Sequence, residues 1–260
     1  MIQLKEILSL YASISLEEMD DVNLMDRIDT KYISTISQVH NVLNEARDKY
    51  KMLEINGIRD MGYRTIYYDT DDLCMYTCHQ NRKLNRYKIR LREYLINGVK
   101  YLEVKFKSNK KKTIKKRIKI RSLDFSQEGS SHFVNTNSPY IPTELRPKLF
   151  SEFTRLTLVS KSSVERITID INLKFQNADN KNAELSNLSI IEIKREKVAG
   201  NSDFARILRN NGIKPHGISK YCIGLLLTSD KIKYNRFKPL LRIINKLSYG
   251  NTYQLPYTNN

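Results

Sequence analysis

The chain has 260 residues, with 45 Lys and Arg against 28 Asp and Glu, a net charge of +17 and a pI of about 9.7. This length is enough for one large domain or two small ones with a buried core. The charge points to a polyanionic partner: nucleic acid, an anionic membrane or a phosphate-rich small molecule. The odd, low count of three cysteines (Cys74, Cys78 and Cys222) argues against a disulfide framework, and their spacing argues against a zinc site.

The N-terminus and the hydropathy predict a cytoplasmic protein. The opening MIQLKEILSLYASIS has no basic region before its apolar run, and Lys5 and Glu6 break that run, so it is not a signal peptide. No window approaches the roughly 18 consecutive apolar residues of a transmembrane helix. The sequence identifies no membrane or protein partner.

Hydrophobic periodicity and cap residues predict the elements in chain order. Two helical segments at 2–12 and 15–23 precede a strand at 25–33, and a helix follows from an N-cap at Ser34 to Arg47. Strands near 50–56 and 63–69, a short helix at 71–80, and strands near 85–95, 99–107 and 113–121 come next. A turn-rich stretch at 124–148 with a short helix leads to strands at 150–160, 164–175 and 188–196, with a polar loop at 177–187. Helices at 202–212, after Ser219, and at 234–247 complete the chain.

The basic charge is concentrated between Arg82 and Arg121, where 17 Lys and Arg face only two acids, Glu93 and Glu103. Within this block the stretch RYKIRLREY alternates apolar and cationic residues, which is typical of a β-strand with two different faces. Its cationic face carries Lys88, Arg90 and Arg92. Like charges side by side on a sheet are destabilising unless an anion binds between them.

The other predicted strands repeat this pattern, with charged side chains on one face and apolar ones on the other. The charged positions are Arg27, Asp29, Lys31, Glu103, Lys105, Lys107, Lys115, Arg117, Lys119, Arg155, Arg166, Asp170, Glu192 and Lys194. A solvent-facing sheet surface would mix signs and include more neutral polar residues. A barrel of about eight strands with its charged faces inside would instead hold a small ligand along its axis. Such a cationic lumen suits a chain of phosphates, and Arg suits it because its planar fork binds phosphate oxygens in pairs.

Six segments carry a resemblance to a known family. They are DRIDTKY at 26–32, TIYYDTDDLCMY at 65–76, RYKIRLREY at 86–94, YLEVKFK at 101–107, SIIEIKRE at 189–196 and SKYCIG at 219–224. In this order they resemble the VTC domain (vacuolar transporter chaperone, the polyphosphate polymerase domain) of the triphosphate tunnel metalloenzyme superfamily. The resemblance implies an α+β fold: an antiparallel eight-stranded β-barrel, or tunnel, with helices packed outside. It makes residues 1–260 one tunnel domain, with an N-terminal helical segment at 1–24 and a C-terminal helix and tail at 230–260.

The resemblance also implies the site. Residues expected to act on the phosphates in catalysis are Arg90, Arg92, Lys105, Arg155 and Arg166; further phosphate-binding residues are Lys31, Lys119, Ser219 and Lys220; and Glu192 is the expected ligand of a divalent metal, Mn²⁺ or Mg²⁺. Two departures stand out. Many hydrolases of this superfamily begin with acid-x-acid-x-Lys, whereas this chain has Arg27, Asp29 and Lys31 at the matching positions. Fewer carboxylates and more cations favour binding of phosphate over binding of several metal ions. Where the family often has a lysine before Ser-Lys, this chain has Gly217, and Lys214 is the candidate substitute.

The implied activity is transfer of the ATP γ-phosphoryl group to a polyphosphate chain. A tunnel triphosphatase that hydrolyses inorganic or nucleoside triphosphate is the nearest alternative, and a non-catalytic binder of polyphosphate or nucleic acid is another. Nucleic-acid sheets usually expose aromatics for stacking, whereas Tyr87 and Phe106 lie on the apolar face. Glu103 is interpreted as a counter-charge, and Asp69, Asp71 and Asp72 as capping and turn acids.

Overall fold

The structure, a computed structural model, describes residues 4–20, 27–110, 112–122, 124–125, 128–197 and 202–249. The helices are α1 Leu4–Ser9, α2 Leu16–Asp20, α3 Ile36–Ala46, α4 Cys74–Gln80, α5 Glu128–Asn137, α6 Asp203–Asn210, α7 Lys220–Thr228 and α8 Lys238–Tyr249, with 3-10 turns at Pro142–Glu144 and Asn235–Phe237. The strands are β1 Ser13–Ile14, β2 Arg27–Thr35, β3 Tyr50–Leu53, β4 Met61–Asp69, β5 Arg86–Tyr94, β6 Val99–Lys107, β7 Thr113–Ile120, β8 Arg146–Ser160, β9 Glu165–Asn177, β10 Asn182–Leu185 and β11 Leu188–Glu196.

Eight strands form one continuous antiparallel path in the order β2-β11-β9-β8-β4-β5-β6-β7. The sheet is curled into a half-barrel, which confirms the predicted α+β fold with an eight-stranded antiparallel sheet. Three short strands join this path from the side: β10 pairs with β9, and β3 pairs with both β8 and β1. Within the described residues, no helix has the length and hydropathy needed to cross a bilayer.

The free edge of β2 is bordered by the chain segment that leads into α7. Tyr32 forms an isolated bridge with Pro215, and the His216 N–H donates to the Lys31 carbonyl at 2.7 Å. These contacts satisfy backbone groups that an edge strand otherwise leaves open. They also bring the beginning of α7 beside the inner face of the sheet.

The outer face of the half-barrel is apolar and packs against helices. Ile167 and Ile169 of β9 form one buried cluster with Val42 of α3 and Phe204 of α6. A second cluster joins β5 and β6 to α5, for example through Leu102 and Val134. Each fully buried side chain of this kind contributes roughly 1.5–3 kcal/mol of hydrophobic stabilisation. Because the helices bury this face, the charged side chains at the alternate strand positions must point to the inside.

Helix α7 packs against the inner face of the sheet and not against its outside. It contacts β8, β9 and β10, and its Gly224 comes so close to Leu149 and Phe175 that an added Cβ would overlap them. Leu149 and Phe175 belong to strands whose inner faces also carry the charged positions. The helix therefore fills one part of the concave side, and its N-terminal residues border the part that remains.

The predicted boundaries differ from the structure at several points. Thr35, not Ser34, is the N-cap of α3, where it forms a capping box with Gln38; Ser34 is buried and shares a 2.6 Å hydrogen bond with Ser189. The predicted polar loop at 177–187 contains strand β10, because its Ala183 and Leu185 can pair with β9. Parts of the predicted N-terminal segment and C-terminal tail, residues 1–3, 21–26 and 250–260, lie outside the described residues.

Candidate functional site

The register of β5 and β6 collects cations on the inner face. Lys88 lies opposite Lys105, Arg90 opposite Glu103, and Arg92 opposite Tyr101. Residues paired across an antiparallel sheet point to the same side. The alternate residues Ile89, Leu91, Leu102 and Val104 belong to the outer apolar cluster. The three cations of the RYKIRLREY motif therefore line the concave side of the half-barrel.

Strand β7 extends this charged face to the end of the sheet. Lys115 pairs with Lys105 and Lys119 with Tyr101, and Arg117 pairs with Glu103. The Arg117 guanidinium lies 4.5 Å from the centre of the Tyr101 ring. Lys119 shares this inner face but is solvent-exposed. It is therefore at the margin of the charged face and not in its buried part.

Glu103 is a buried counter-charge in this cluster. It is 1% exposed, its Oε2 lies 2.6 Å from Arg90 Nε, and its Oε1 pairs with Lys115. Burial acts to raise the pKa of Glu103, but the nearby charges of Arg90, Arg92 and Lys115 lower it to about 2. The carboxylate stays ionised and holds two cations in place, as its interpretation from the sequence implied.

Asp170 holds a second pair of cations. Arg155 contacts both of its oxygens in a bidentate arrangement, at 2.6 and 2.8 Å, and Lys220 pairs with its Oδ2. Burial opposes ionisation, yet the Arg155 and Lys220 charges keep the pKa of Asp170 below its usual value. Asp170 is 2% exposed. The sequence placed it on the charged face without a role; the signal was its position four residues after Arg166 on the same strand face.

Glu192 is a half-buried carboxylate on the same face, and it also lies between two cations. Its Oε2 is 2.6 Å from Lys194 Nζ and its Oε1 is 3.7 Å from Lys31 Nζ. Burial acts to raise the pKa of Glu192, but Lys31 and Lys194 lower it well below the ordinary value. Lys31 also donates to the Ile218 carbonyl at 3.4 Å, which ties β2 to the residues just before α7.

Three inner cations form no ion pair with a carboxylate of the described residues: Lys88, Arg92 and Lys105. Arg92 is 7% exposed and its buried Nε has no hydrogen-bond partner there. Burial, and then repulsion from Lys31 and a neighbouring cation, lower the pKa of Lys88 to about 7 and that of Lys105 to about 8. Because the charge of Lys31 on β2 acts on Lys105 on β6, these two strands lie near each other across the concave side. These groups are arranged to receive an anion.

The remaining predicted residues lie on the same face. Ser219 is buried and caps α7; its Oγ accepts hydrogen bonds from Lys88 Nζ at 2.8 Å and from the Cys222 N–H at 3.4 Å. Arg166 is half-buried on β9, paired in register with Lys194. Lys214, the candidate replacement for a lysine at 217, is exposed. Apart from Lys119 at the margin, the structure brings the predicted residues together on the inner face.

Aromatic rings form part of the wall behind these cations, and the sequence analysis did not identify them. The Arg155 guanidinium lies 5.1 Å from the Tyr63 ring centre, and the Lys220 ammonium lies 4.4 Å from that of Phe153. The Tyr63 and Phe153 rings stack at 5.4 Å. Ring faces attract cations, so these rings support the basic side chains without neutralising them.

The donor set fits a divalent metal only as a partner of bound phosphate. In the part of the chain that the structure describes, no three His, Cys, Asp or Glu side chains cluster as metal ligands. Glu103 and Asp170 are almost fully buried and each contacts two cations, whereas Glu192 is half-buried and its Oε1 lies 3.7 Å from Lys31 Nζ, so Glu192 is the better-placed carboxylate. Mg²⁺ commonly binds one or two carboxylates plus substrate phosphates and waters. One carboxylate beside a row of cations matches that mode.

Asp69 and Asp71 lie in structural positions, as the sequence predicted. Asp69 is buried and accepts hydrogen bonds from the N–H groups of Thr70, Met75 and Tyr76 at the start of α4. Asp71 forms a 2.6 Å ion pair with Lys148. Neither belongs to the group of Glu103, Asp170 and Glu192 on the concave side.

Comparison with known proteins gives a family match. A family model described as the VTC domain matches residues 26–229. No curated protein matches the chain significantly in sequence.

Several solved structures are similar in fold. A candidate adenylate cyclase from Vibrio parahaemolyticus is 12% identical, with 77% of this chain and 99% of that chain covered and a TM-score of 0.44. A candidate adenylate cyclase from Bacillus halodurans is 13% identical, with coverage of 82% and 99% and a TM-score of 0.44. The candidate adenylyl cyclase HpAC1 from Hippeastrum, described as having a dominant triphosphatase activity, is 11% identical, with coverage of 76% and 94% and a TM-score of 0.46.

Proposed function

The chain belongs to the VTC domain family of triphosphate tunnel proteins, and from this premise we propose that it transfers the γ-phosphoryl group of ATP to a polyphosphate chain bound along its concave face. The observation that carries the proposal is a set of inner-face cations that form no ion pair with a carboxylate of the described residues: the buried Arg92 and the half-buried Lys88 and Lys105. A row of phosphates supplies closely spaced negative charges that could neutralise all three.

In the proposed reaction, a terminal oxygen of the polyphosphate attacks the γ-phosphorus in line. A new P–O bond forms as the bond to the β,γ-bridging oxygen breaks, and ADP leaves with that electron pair. Protein residues need to position both phosphate chains and stabilise charge on the transferring group. We assign this role to Arg90, Arg92, Lys105, Arg155 and Arg166, with Lys31, Lys119, Ser219 and Lys220 as further phosphate contacts.

Charge stabilisation is favourable here because the cations are already in place. The carboxylates Glu103 and Asp170 hold Arg90 and Arg155 by hydrogen bonds at 2.6 Å. Little reorganisation is then needed when phosphate binds. Glu192 would hold a divalent metal, Mn²⁺ or Mg²⁺, which when bound supplies charge neutralisation between phosphate oxygens. A metal ion that is bound to the phosphate ligand would compete with Lys31 and Lys194 for the Glu192 carboxylate.

Product analysis tests the proposal with ATP and Mn²⁺ or Mg²⁺. The wild type should form long phosphate chains that are visible on a gel, and Arg92→Ala and Glu192→Gln should each reduce the rate by about 10²–10³-fold, as loss of one transition-state contact does. Arg64→Ala is the matched control, because Arg64 is half-exposed on the outer face and pairs with Glu93 and Glu152.

Two outcomes would contradict the proposal. Free phosphate without chains would identify a triphosphatase that uses the same face. Unchanged chain synthesis in both Arg92→Ala and Glu192→Gln would exclude the assigned site.

A further inference from the structure

A second basic cavity lies on the other side of the sheet, between α6 and the strands β2 and β11. Its volume is about 230 Å³, and its lining includes Thr30, Tyr32, Arg195, Arg206 and Arg209. Thr30 and Tyr32 alternate along β2 with Asp29 and Lys31, so they point away from the concave face. The same holds on β11 for Arg195, which follows Lys194. This cavity is therefore separate from the proposed phosphate tunnel.

Three arginines give the cavity its charge. Arg195 comes from β11, and Arg206 and Arg209 lie one turn apart on α6. Two acids lie near them: Asp203 pairs with Arg206 at 2.5 Å and with Lys49 at 3.0 Å, and the buried Glu165 lies opposite Arg195 in the register of β9 and β11. Guanidinium groups on two elements that converge on one cavity match the geometry of phosphate oxygens, which accept paired N–H bonds.

Tyr32 gives the cavity a buried polar group. Tyr32 is 6% exposed and lines the cavity. Burial, opposed by the charges of Arg195 and Arg209, raises the pKa of Tyr32, with Glu165 adding to the rise. The phenol therefore stays protonated and can donate a hydrogen bond to an anion in the cavity.

We propose that this cavity, lined by Tyr32, Arg195, Arg206 and Arg209, is a second anion-binding site that takes a small inorganic phosphate of the size of pyrophosphate. Pockets for drug-sized ligands measure roughly 300–1,000 Å³, so a cavity of about 230 Å³ favours a small anion. The phosphate oxygens accept from the guanidinium groups and from the Tyr32 hydroxyl. The proposal does not depend on the activity assigned to the tunnel.

Calorimetric titration of the full chain with pyrophosphate tests the site. Arg206→Ala/Arg209→Ala changes two exposed helix positions and should remove one binding site from the stoichiometry of the wild type. Arg47→Ala/Arg242→Ala removes the same charge from exposed positions elsewhere and should leave the stoichiometry unchanged. This comparison is valid whether or not the tunnel also binds pyrophosphate. Failure of this second site can therefore be distinguished from failure of the function proposed for the tunnel.

Tyr32→Phe keeps the ring and removes only the hydroxyl. It should weaken the affinity of the same site by about 3- to 10-fold, the worth of one hydrogen bond, without changing the other site. Unchanged stoichiometry and affinity in Arg206→Ala/Arg209→Ala would overturn the proposal, as would an equal loss in the charge-matched control. Circular dichroism of each variant confirms that the comparison is between folded proteins.

Discussion

At the scale of single residues, the concave face combines neutralised and uncompensated cations. Glu103, Asp170 and Glu192 each lie between two basic side chains. Removing one partner of a buried ion pair usually costs about 3–5 kcal/mol because the other charge is left uncompensated. These carboxylates therefore position the cations beside them, while Lys88 and Arg92 form no ion pair with a carboxylate of the described residues.

The lowered pKa of Lys88, about 7, predicts a pH-dependent affinity for tripolyphosphate. Bound phosphate favours the ammonium form and raises this pKa, so binding takes up a proton above pH 7. Affinity should then be highest below pH 7 and fall as the pH rises towards 9, by up to about tenfold per pH unit for each lysine that must be protonated. Titrations in buffers of different ionisation enthalpy measure this proton uptake.

Lys88→Met should bind more weakly and take up fewer protons than the wild type between pH 7 and 9. Lys174→Met is the control, because Lys174 is well exposed and pairs at 3.7 Å with Glu184 on β10. An affinity that rises with pH over this range would contradict the assignment of Lys88 to the phosphate face.

At the scale of elements, α7 links packing to the site. Its N-terminal residues Ser219 and Lys220 contact Lys88 and Asp170, while its middle packs on the sheet through Gly224. The close approach requires glycine at position 224. Leu149 and Phe175 cannot move away easily, because their strands β8 and β9 are each paired with a neighbouring strand on both sides. The position of the helix therefore decides where the two proposed phosphate contacts lie.

Gly224→Ala should lower the free energy of unfolding by about 1–3 kcal/mol, the usual cost of overpacking a core. The added Cβ would overlap Leu149 and lie 2.6 Å from Phe175 Cδ1. Gly129→Ala in α5 has open space around it and should be neutral or slightly stabilising, because alanine favours helix. Urea unfolding of both variants measures the difference; equal stabilities would show that α7 does not pack as described.

At the scale of the whole molecule, the charge of +17 is concentrated by the curl of the sheet. Cations that are far apart in sequence meet across the concave side, where the charge of Lys31 helps to lower the pKa of Lys105. This repulsion is stored in the folded state and is relieved when a polyanion binds. Ligand binding and stability are therefore coupled.

Tripolyphosphate should raise the thermal stability of the protein. At a concentration of 100 times Kd, binding to the folded state alone adds about 2.7 kcal/mol to the free energy of unfolding, and the shift in melting temperature should shrink as salt screens the charges. A single-stranded oligonucleotide of matched charge is the control, and we expect it to give a smaller shift. An equal shift that tripolyphosphate cannot displace would favour a nucleic-acid binder.

Much of the fold and of the charged face was predictable from local patterns. Alternation along RYKIRLREY and SIIEIKRE depends only on the two-residue repeat of a strand, so β5 and β11 were predicted closely, and Lys88, Arg90 and Arg92 were placed on one face. The N-cap of α3 and the short strand β10 were not predicted correctly. Both depend on neighbours distant in sequence, Ser189 for the buried Ser34 and β9 for the pairing of β10.

Local sequence also determined the sign of the charge and the residue types that can bind phosphate, because these follow from side-chain chemistry alone. Only the tertiary structure decided which carboxylate holds which cation, that Lys88, Arg92 and Lys105 pair with no carboxylate in the part of the chain that is described, and that α7 lies on the inner side of the sheet. The reason is physical: pairing, burial and pKa depend on distances of a few ångströms between residues such as Arg155 and Lys220, which meet only when the sheet curls and the helix packs against it.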